Sequence, residues 1–154
     1  MLDDKVHVFE NYLSKEACER YLKKIKDIGY RDKLASWEER TTDISDDPIA
    51  ETVRHFLNNR FYINLELDQV QTQNWHINSY GPLHKHDRDG RQNTVFNSLI
   101  YLNDDFEGDE FITSTGFVLK PKQGMLTFFN GSKIIHGTRR TLSKDRKTLI
   151  FWWK

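Results

Sequence analysis

Arg146-Lys147-Thr148-Leu149-Ile150-Phe151-Trp152-Trp153 decides how the rest of the chain is read. β-Branched and aromatic residues dominate this stretch, and such residues suit a pleated surface. Side chains alternate between the two faces of a strand, so Arg146, Thr148, Ile150 and Trp152 fall together on one of them. Working outward, strand-like runs recur at 70–79, 97–102, 110–113, 117–119, 125–129 and 134–137. Gly81-Pro82, Asp89-Gly90, Asn103-Asp104-Asp105, Gly108, Pro121, Gly124 and Asn130-Gly131 separate them with turn chemistry.

Before about Leu65 the texture is different. Val6-His7-Val8-Phe9 reads as a short strand. Ser14 is an N-cap with Glu16 in the first turn. Ala17, Cys18, Tyr21, Leu22, Ile25 and Ile28 then keep helical spacing as far as Gly29, a natural stop. A second helix starts from Asp46 or Asp47 before Pro48, with Ile49, Val53, Phe56 and Leu57 as its buried stripe. The stretch 30–47 is polar and poorly periodic, and reads as a long loop. It is either a lid carrying Trp37, Arg40 and Thr41 or an ordinary surface loop. Two helices followed by many short strands imply an α+β, mostly β chain: an antiparallel barrel or jelly roll, with the N-terminal helices packed on one sheet. The expected organisation is a single domain over 1–154, with 1–65 as helical support and 66–154 as the jelly-roll core.

Composition narrows the function. Apolar residues make up 37% and charged residues 30% of 154, the balance of a soluble globular chain. Lys+Arg and Asp+Glu are both 23, so no net charge draws the chain to nucleic acid or to an anionic membrane. The lone cysteine, Cys18, excludes an intramolecular disulfide and a cysteine-cluster metal site, and it reads as core packing. Met1-Leu2-Asp3-Asp4 is acidic where a signal peptide is basic. No apolar run approaches the roughly 20 residues of a membrane span. The expectation is a cytoplasmic protein.

Three of the six histidines stand in suggestive places. His84-Lys85-His86-Asp87 follows a strand and a Gly-Pro turn, and His136 ends another strand. If a strand runs through the cluster, His84 and His86 share a face. If the chain turns at His86, Asp87 or Asp89 swings in beside it. Either arrangement, with His136, gives a three-ligand face, and two His plus one carboxylate is the usual oxygen-activating Fe(II) set. His7, His55 and His76 read as structural. Arg146, ten residues after His136, would lie inside the roll, where a buried guanidinium needs an anion. A dicarboxylate supplies one by a bidentate pair. Trp75, Phe128 and Trp152 are candidates for a dry wall.

From about Trp75 to Trp153 the chain resembles the prolyl-4-hydroxylase-like branch of the 2-oxoglutarate/Fe(II)-dependent dioxygenases. The matching blocks come in order: the 84–87 cluster, Tyr101-Leu102-Asn103-Asp104, Glu107-Gly108-Asp109-Glu110-Phe111, the run 121–129, then His136 and Arg146 with its strand. The resemblance implies a double-stranded β-helix and three cofactors or cosubstrates: Fe(II), 2-oxoglutarate and O2. It gives His136 the role of distal iron ligand, and it makes Arg146 and Tyr101 the anchors of the far 2-oxoglutarate carboxylate. The implied reaction is hydroxylation of an unidentified peptide or small-molecule substrate, with release of succinate and CO2. Two departures stand out. The family's His-x-Asp triplet is absent, leaving His84 and His86 as metal ligands with Asp87 as the alternative carboxylate. The usual Gly-Gly-Glu reads Gly108-Asp109-Glu110. Two rival readings remain: a cupin-like three-histidine metalloenzyme without 2-oxoglutarate, and a non-catalytic jelly-roll binding module.

Overall fold

The computed structural model describes residues 2–86 and 94–154. A 3-10 turn, Leu2–Asp4, leads into β1 (His7–Phe9), α1 (Lys15–Leu22), α2 (Trp37–Arg40), β2 (Thr41–Asp43) and α3 (Ile49–Phe61). Eight further strands follow: β3 (Leu67–Trp75), β4 (Gly81–His84), β5 (Phe96–Tyr101), β6 (Phe111–Thr113), β7 (Val118–Leu119), β8 (Leu126–Asn130), β9 (His136–Thr138) and β10 (Arg146–Trp153). They form two antiparallel sheets, ordered β1-β8-β5-β10-β3-β2 and β4-β9-β6-β7. This is the expected jelly roll. The first 65 residues also contribute β1 and β2, one at each edge of the larger sheet.

β10 sits at the middle of the larger sheet, between β5 and β3, and both its faces are covered. Leu149, Phe151 and Trp153 pack outward with Ile100, Leu126 and Phe128 against Cys18 of α1 and Ile49, Val53 and Leu57 of α3. Burial pushes the Cys18 thiol up to about 11, so it stays an inert part of this core. Ile150 and Trp152 point the other way, into the roll, with Leu99, Tyr101 and Met125. Inside, Trp152 Nε1 donates to Gln71 Oε1 at 3.1 Å, and Thr148 Oγ1 donates to Gln73 Oε1 at 3.1 Å. Gln71 and Gln73 of β3 therefore find side-chain partners inside the roll.

Three local expectations change. The first helix ends at Leu22, short of Gly29. Beyond it the chain bends so that Ile28 and Gly29 donate their N–H groups to Asp145 Oδ2 at 2.7 and 3.1 Å, tying it to the start of β10. The 30–47 stretch is not a featureless loop. Ser36 and Glu39 form a capping box that starts α2, and β2 then pairs with β3. Phe128 faces the helices, while Phe129, one residue on, faces the cavity.

Gly124 keeps a tight crossing open. Its φ is +84°, and a Cβ there would sit 2.3 Å from Leu13 O, where Leu13 N donates to Gly124 O at 3.0 Å. Among the described residues, no helix is long and apolar enough to cross a membrane.

Candidate metal and cosubstrate site

The two sheets face each other across a cavity of about 200 Å³, lined by residues from both, among them His84, His86, His136, Trp75, Trp152 and Arg146. Its upper wall holds the histidines. His136 opens β9, where it pairs with His84 of β4 on one side and Thr113 of β6 on the other. β4 ends at His84, so His86 does not reach the site by strand alternation. The backbone turns instead, and His86 N donates to Gly131 O at 2.9 Å. His84 is exposed, whereas His86 and His136 are 9% and 5% exposed, so the cluster opens to solvent on the His84 side.

The three rings converge through Nε2. His86 Nε2 lies 3.1 Å from His84 Nε2 and 3.2 Å from His136 Nε2, and the possible ligand atoms of all three lie within 4.8 Å of one another. Each Nδ1 has an oxygen of its own: Pro82 O at 2.7 Å for His84, Asn97 Oδ1 at 2.8 Å for His86 and Ile134 O at 2.7 Å for His136. With the ring proton on Nδ1, each imidazole presents an Nε2 lone pair to the other two. Three lone pairs at this spacing repel unless a cation sits among them. Imidazole nitrogens at right angles on a small divalent metal, each bonded at about 2.1 Å, stand about 3 Å apart. The donor set therefore fits a metal. Burial, together with the neighbouring histidines, drives the His136 imidazole down to about 3, so it is neutral at physiological pH. Phe111 stacks on it at 5.7 Å and Phe129 meets it edge-on at 4.8 Å.

Gly131 matters to this geometry. A Cβ there would lie 2.2 Å from Asn97 Oδ1 and 2.6 Å from His86 Nδ1, inside the bond that orients the His86 ring. Gly131→Ala is expected to lower metal affinity by about 10- to 100-fold, the usual cost of losing a partner behind a ligand. Anaerobic metal titration measures this, and wild-type affinity would show that the Asn97 contact does not orient His86.

The far wall is cationic. Arg146 is 1% exposed, with Trp75 4.8 Å and Tyr101 5.7 Å from its guanidinium. Among the described residues its Nε and Nη1 find no hydrogen-bond acceptor, and neither Tyr101 OH nor Trp75 Nε1 finds a partner. Unmet buried donors are costly, and an anion reaching the guanidinium would satisfy those of Arg146. Burial also pushes the Tyr101 phenol up to about 12, keeping its proton available for donation. The site thus fits a carboxylate-bearing cosubstrate.

The site also takes two residues from the 30–47 stretch. Trp37 lines the cavity and meets Trp152 at 6.2 Å, and the Arg40 guanidinium lies 5.0 Å from the Trp75 ring. The sequence signal for this was the Ser36-to-Glu39 capping box, which starts a helix where a loop was expected. Asp87 and Asp89 lie outside the described residues. His76 is a structural histidine: its Nε2 accepts from Ala35 N at 3.0 Å, and its Nδ1 lies 2.8 Å from Ile77 O. His55 is exposed beside Glu51, and His7 lies 3.2 Å from Leu2 O.

No family model matches the chain. A 66-residue stretch is 36% identical to prolyl 3-hydroxylase 2 of Homo sapiens, covering 38% of this chain and only 9% of that protein. Solved structures match over nearly the whole length. The viral collagen prolyl hydroxylase of Paramecium Bursaria Chlorella virus-1, solved as its 2OG complex, superposes with a TM-score of 0.77 at 19% identity, covering 99% of this chain and 98% of that one. A Pseudomonas putida prolyl-4-hydroxylase gives a TM-score of 0.71 at 14% identity, covering 97% and 91%. The chain has the fold of the prolyl-4-hydroxylase-like 2-oxoglutarate/Fe(II) oxygenases.

Proposed function

We propose that this chain is an Fe(II)- and 2-oxoglutarate-dependent hydroxylase of the prolyl-hydroxylase type, acting on a peptide side chain. One observation carries the reading: a converging histidine triad and a buried arginine with unmet donors share a single small cavity. His84, His86 and His136 would hold the iron. Arg146 and Tyr101 would hold the far carboxylate of 2-oxoglutarate, and Trp75 and Trp152 would exclude water around it. When bound, iron and 2-oxoglutarate together activate O2, yielding succinate and CO2 as one oxygen atom enters a substrate C–H bond. The chain's own contribution is positioning. Pro82 O, Asn97 and Ile134 O fix the ligand rings, and Arg146 fixes the cosubstrate. The exposed His84 rim, flanked by half-exposed Tyr80 and Leu83, is where a peptide would approach. A prolyl side chain is the favoured target because the named relatives are prolyl hydroxylases.

A second reading has one observation in its favour: among the described residues the metal cluster is all histidine, as in a cupin-like site. The unmet donors around Arg146 oppose it, because such a site needs no dicarboxylate anchor. One assay separates the two. Iron-loaded protein is given O2 and proline-containing peptides, with and without 2-oxoglutarate. The expected result is succinate and a peptide heavier by one oxygen atom, formed only with 2-oxoglutarate. Oxygen consumption that ignores 2-oxoglutarate would favour the cupin-like reading and overturn ours.

A further inference from the structure

Asp109 sits where the family pattern carries a glycine, and two features of its setting are costly. Its φ is +63°, a conformation that non-glycine residues seldom adopt, and its side chain is fully buried. Asp109 Oδ1 accepts from Thr141 Oγ1 at 2.6 Å and lies 3.8 Å from Arg146 Nε, while among the described residues Oδ2 has no hydrogen-bond donor. The guanidinium that would anchor a cosubstrate therefore already faces an internal carboxylate.

We propose that Asp109 is a built-in counter-ion of Arg146, and that a dicarboxylate anchoring on Arg146 makes Asp109 take up a proton from solvent. This rests on Arg146 being the dicarboxylate anchor. Among the described residues the charged or titratable groups acting on Asp109 are Arg146, Glu110 and Asp145, and Asp109 in turn acts on the Tyr101 phenol. Of these Arg146 alone is a cation, so it decides whether a negative charge is tolerated here. Without ligand, burial pushes the Asp109 carboxyl up to about 6, with Arg146 and the Thr141 hydroxyl restraining the rise. At pH 7 it is then about nine-tenths ionised. An incoming carboxylate engages the same guanidinium and brings a second negative charge close. Two like charges about 5 Å apart, at an effective dielectric near 20, raise the pH at which a carboxyl ionises by about two. Asp109 then becomes mostly protonated, and its free oxygen can act as a donor.

Binding should take up about 0.8 proton at pH 7, and affinity should fall roughly five-fold from pH 6 to pH 7. Both 2-oxoglutarate carboxyls are already ionised across that range. Asp109→Asn keeps the shape without the charge, and Asp109→Gly restores the residue that suits positive φ. Either variant should bind 2-oxoglutarate about ten-fold more tightly than wild type at pH 7 and lose this proton uptake.

The test is anaerobic calorimetric titration of 2-oxoglutarate into the Fe(II)-loaded protein, in buffers of low and high ionisation enthalpy. Protons exchanged elsewhere cancel in the difference between wild type and variant. A difference near 0.8 proton, with tighter variants, is the expected result. Equal uptake in wild type and variants overturns the proposal, as does weaker binding by both variants. Absence of 2-oxoglutarate binding to any of the proteins would instead remove the anchor reading, and this inference with it.

Discussion

His136→Ala is expected to abolish Fe(II) binding while the protein still folds. The residue begins a short strand held on both sides, with His84 of β4 and Thr113 of β6 as its register partners. Those contacts are made by the backbone and survive truncation. What disappears is one of three converging nitrogens, 3.2 Å from His86 Nε2. The remaining two imidazoles, one of them exposed, should hold iron far less well. The loss should exceed the about 10- to 100-fold that follows from disturbing a partner behind a ligand. The pH behaviour sharpens this expectation. Burial already holds His136 down to about 3, so the metal displaces no proton from it at neutral pH. Wild-type iron affinity in the variant, by anaerobic titration, would remove His136 from the site. A collapse of far-ultraviolet circular dichroism would show instead that the ring is needed for the fold.

The alternation of Arg146, Thr148, Ile150 and Trp152 could be read from the sequence because a strand has a fixed two-residue period, and it placed the arginine inside the roll. The helix stripes were legible for the same reason, but their ends were not. The first helix stops at Leu22, and beyond it Asp145, more than a hundred residues later, holds the N–H groups of Ile28 and Gly29 in a non-helical path. No local pattern carries that information. The histidine cluster was visible as residue types, yet its geometry depends on a turn after His84 and on Gly131 from another segment, so strand alternation was the wrong route to it. Phe128 and Phe129 show how narrow the margin is, since neighbouring aromatics face opposite sides of one sheet. The contact between Asp109 and Arg146 was hidden altogether. The sequence showed only that an aspartate replaced a glycine, and the long-range pairing with β10 gives that change its meaning.

Arg146→Ala should nearly eliminate 2-oxoglutarate binding and leave iron affinity unchanged. Arg146 is almost fully buried, flanked by Trp75 and Tyr101, with Nε and Nη1 unsatisfied among the described residues. A buried cation in that state carries a desolvation cost that its distant partner Asp109, at 3.8 Å, only partly offsets. A carboxylate reaching the guanidinium relieves this cost and gains charge-assisted hydrogen bonds at once. Removing one partner of such a pair costs about 2–5 kcal/mol, or roughly 30- to several-thousand-fold in affinity. Arg146→Lys should fall between wild type and Arg146→Ala, because an ammonium keeps the charge but loses the planar fork and its fit against the Trp75 ring. The truncation also leaves the buried Asp109 carboxyl without its counter-ion, so folding stability should fall too, by an amount limited by that carboxyl taking up a proton. Calorimetric titration of all three proteins gives the ranking, and iron titration of the same samples provides the control. Equal 2-oxoglutarate affinity in wild type and Arg146→Ala would place the cosubstrate elsewhere. Parallel loss of iron and 2-oxoglutarate would mean that the variant disturbs the histidine wall as well as its own.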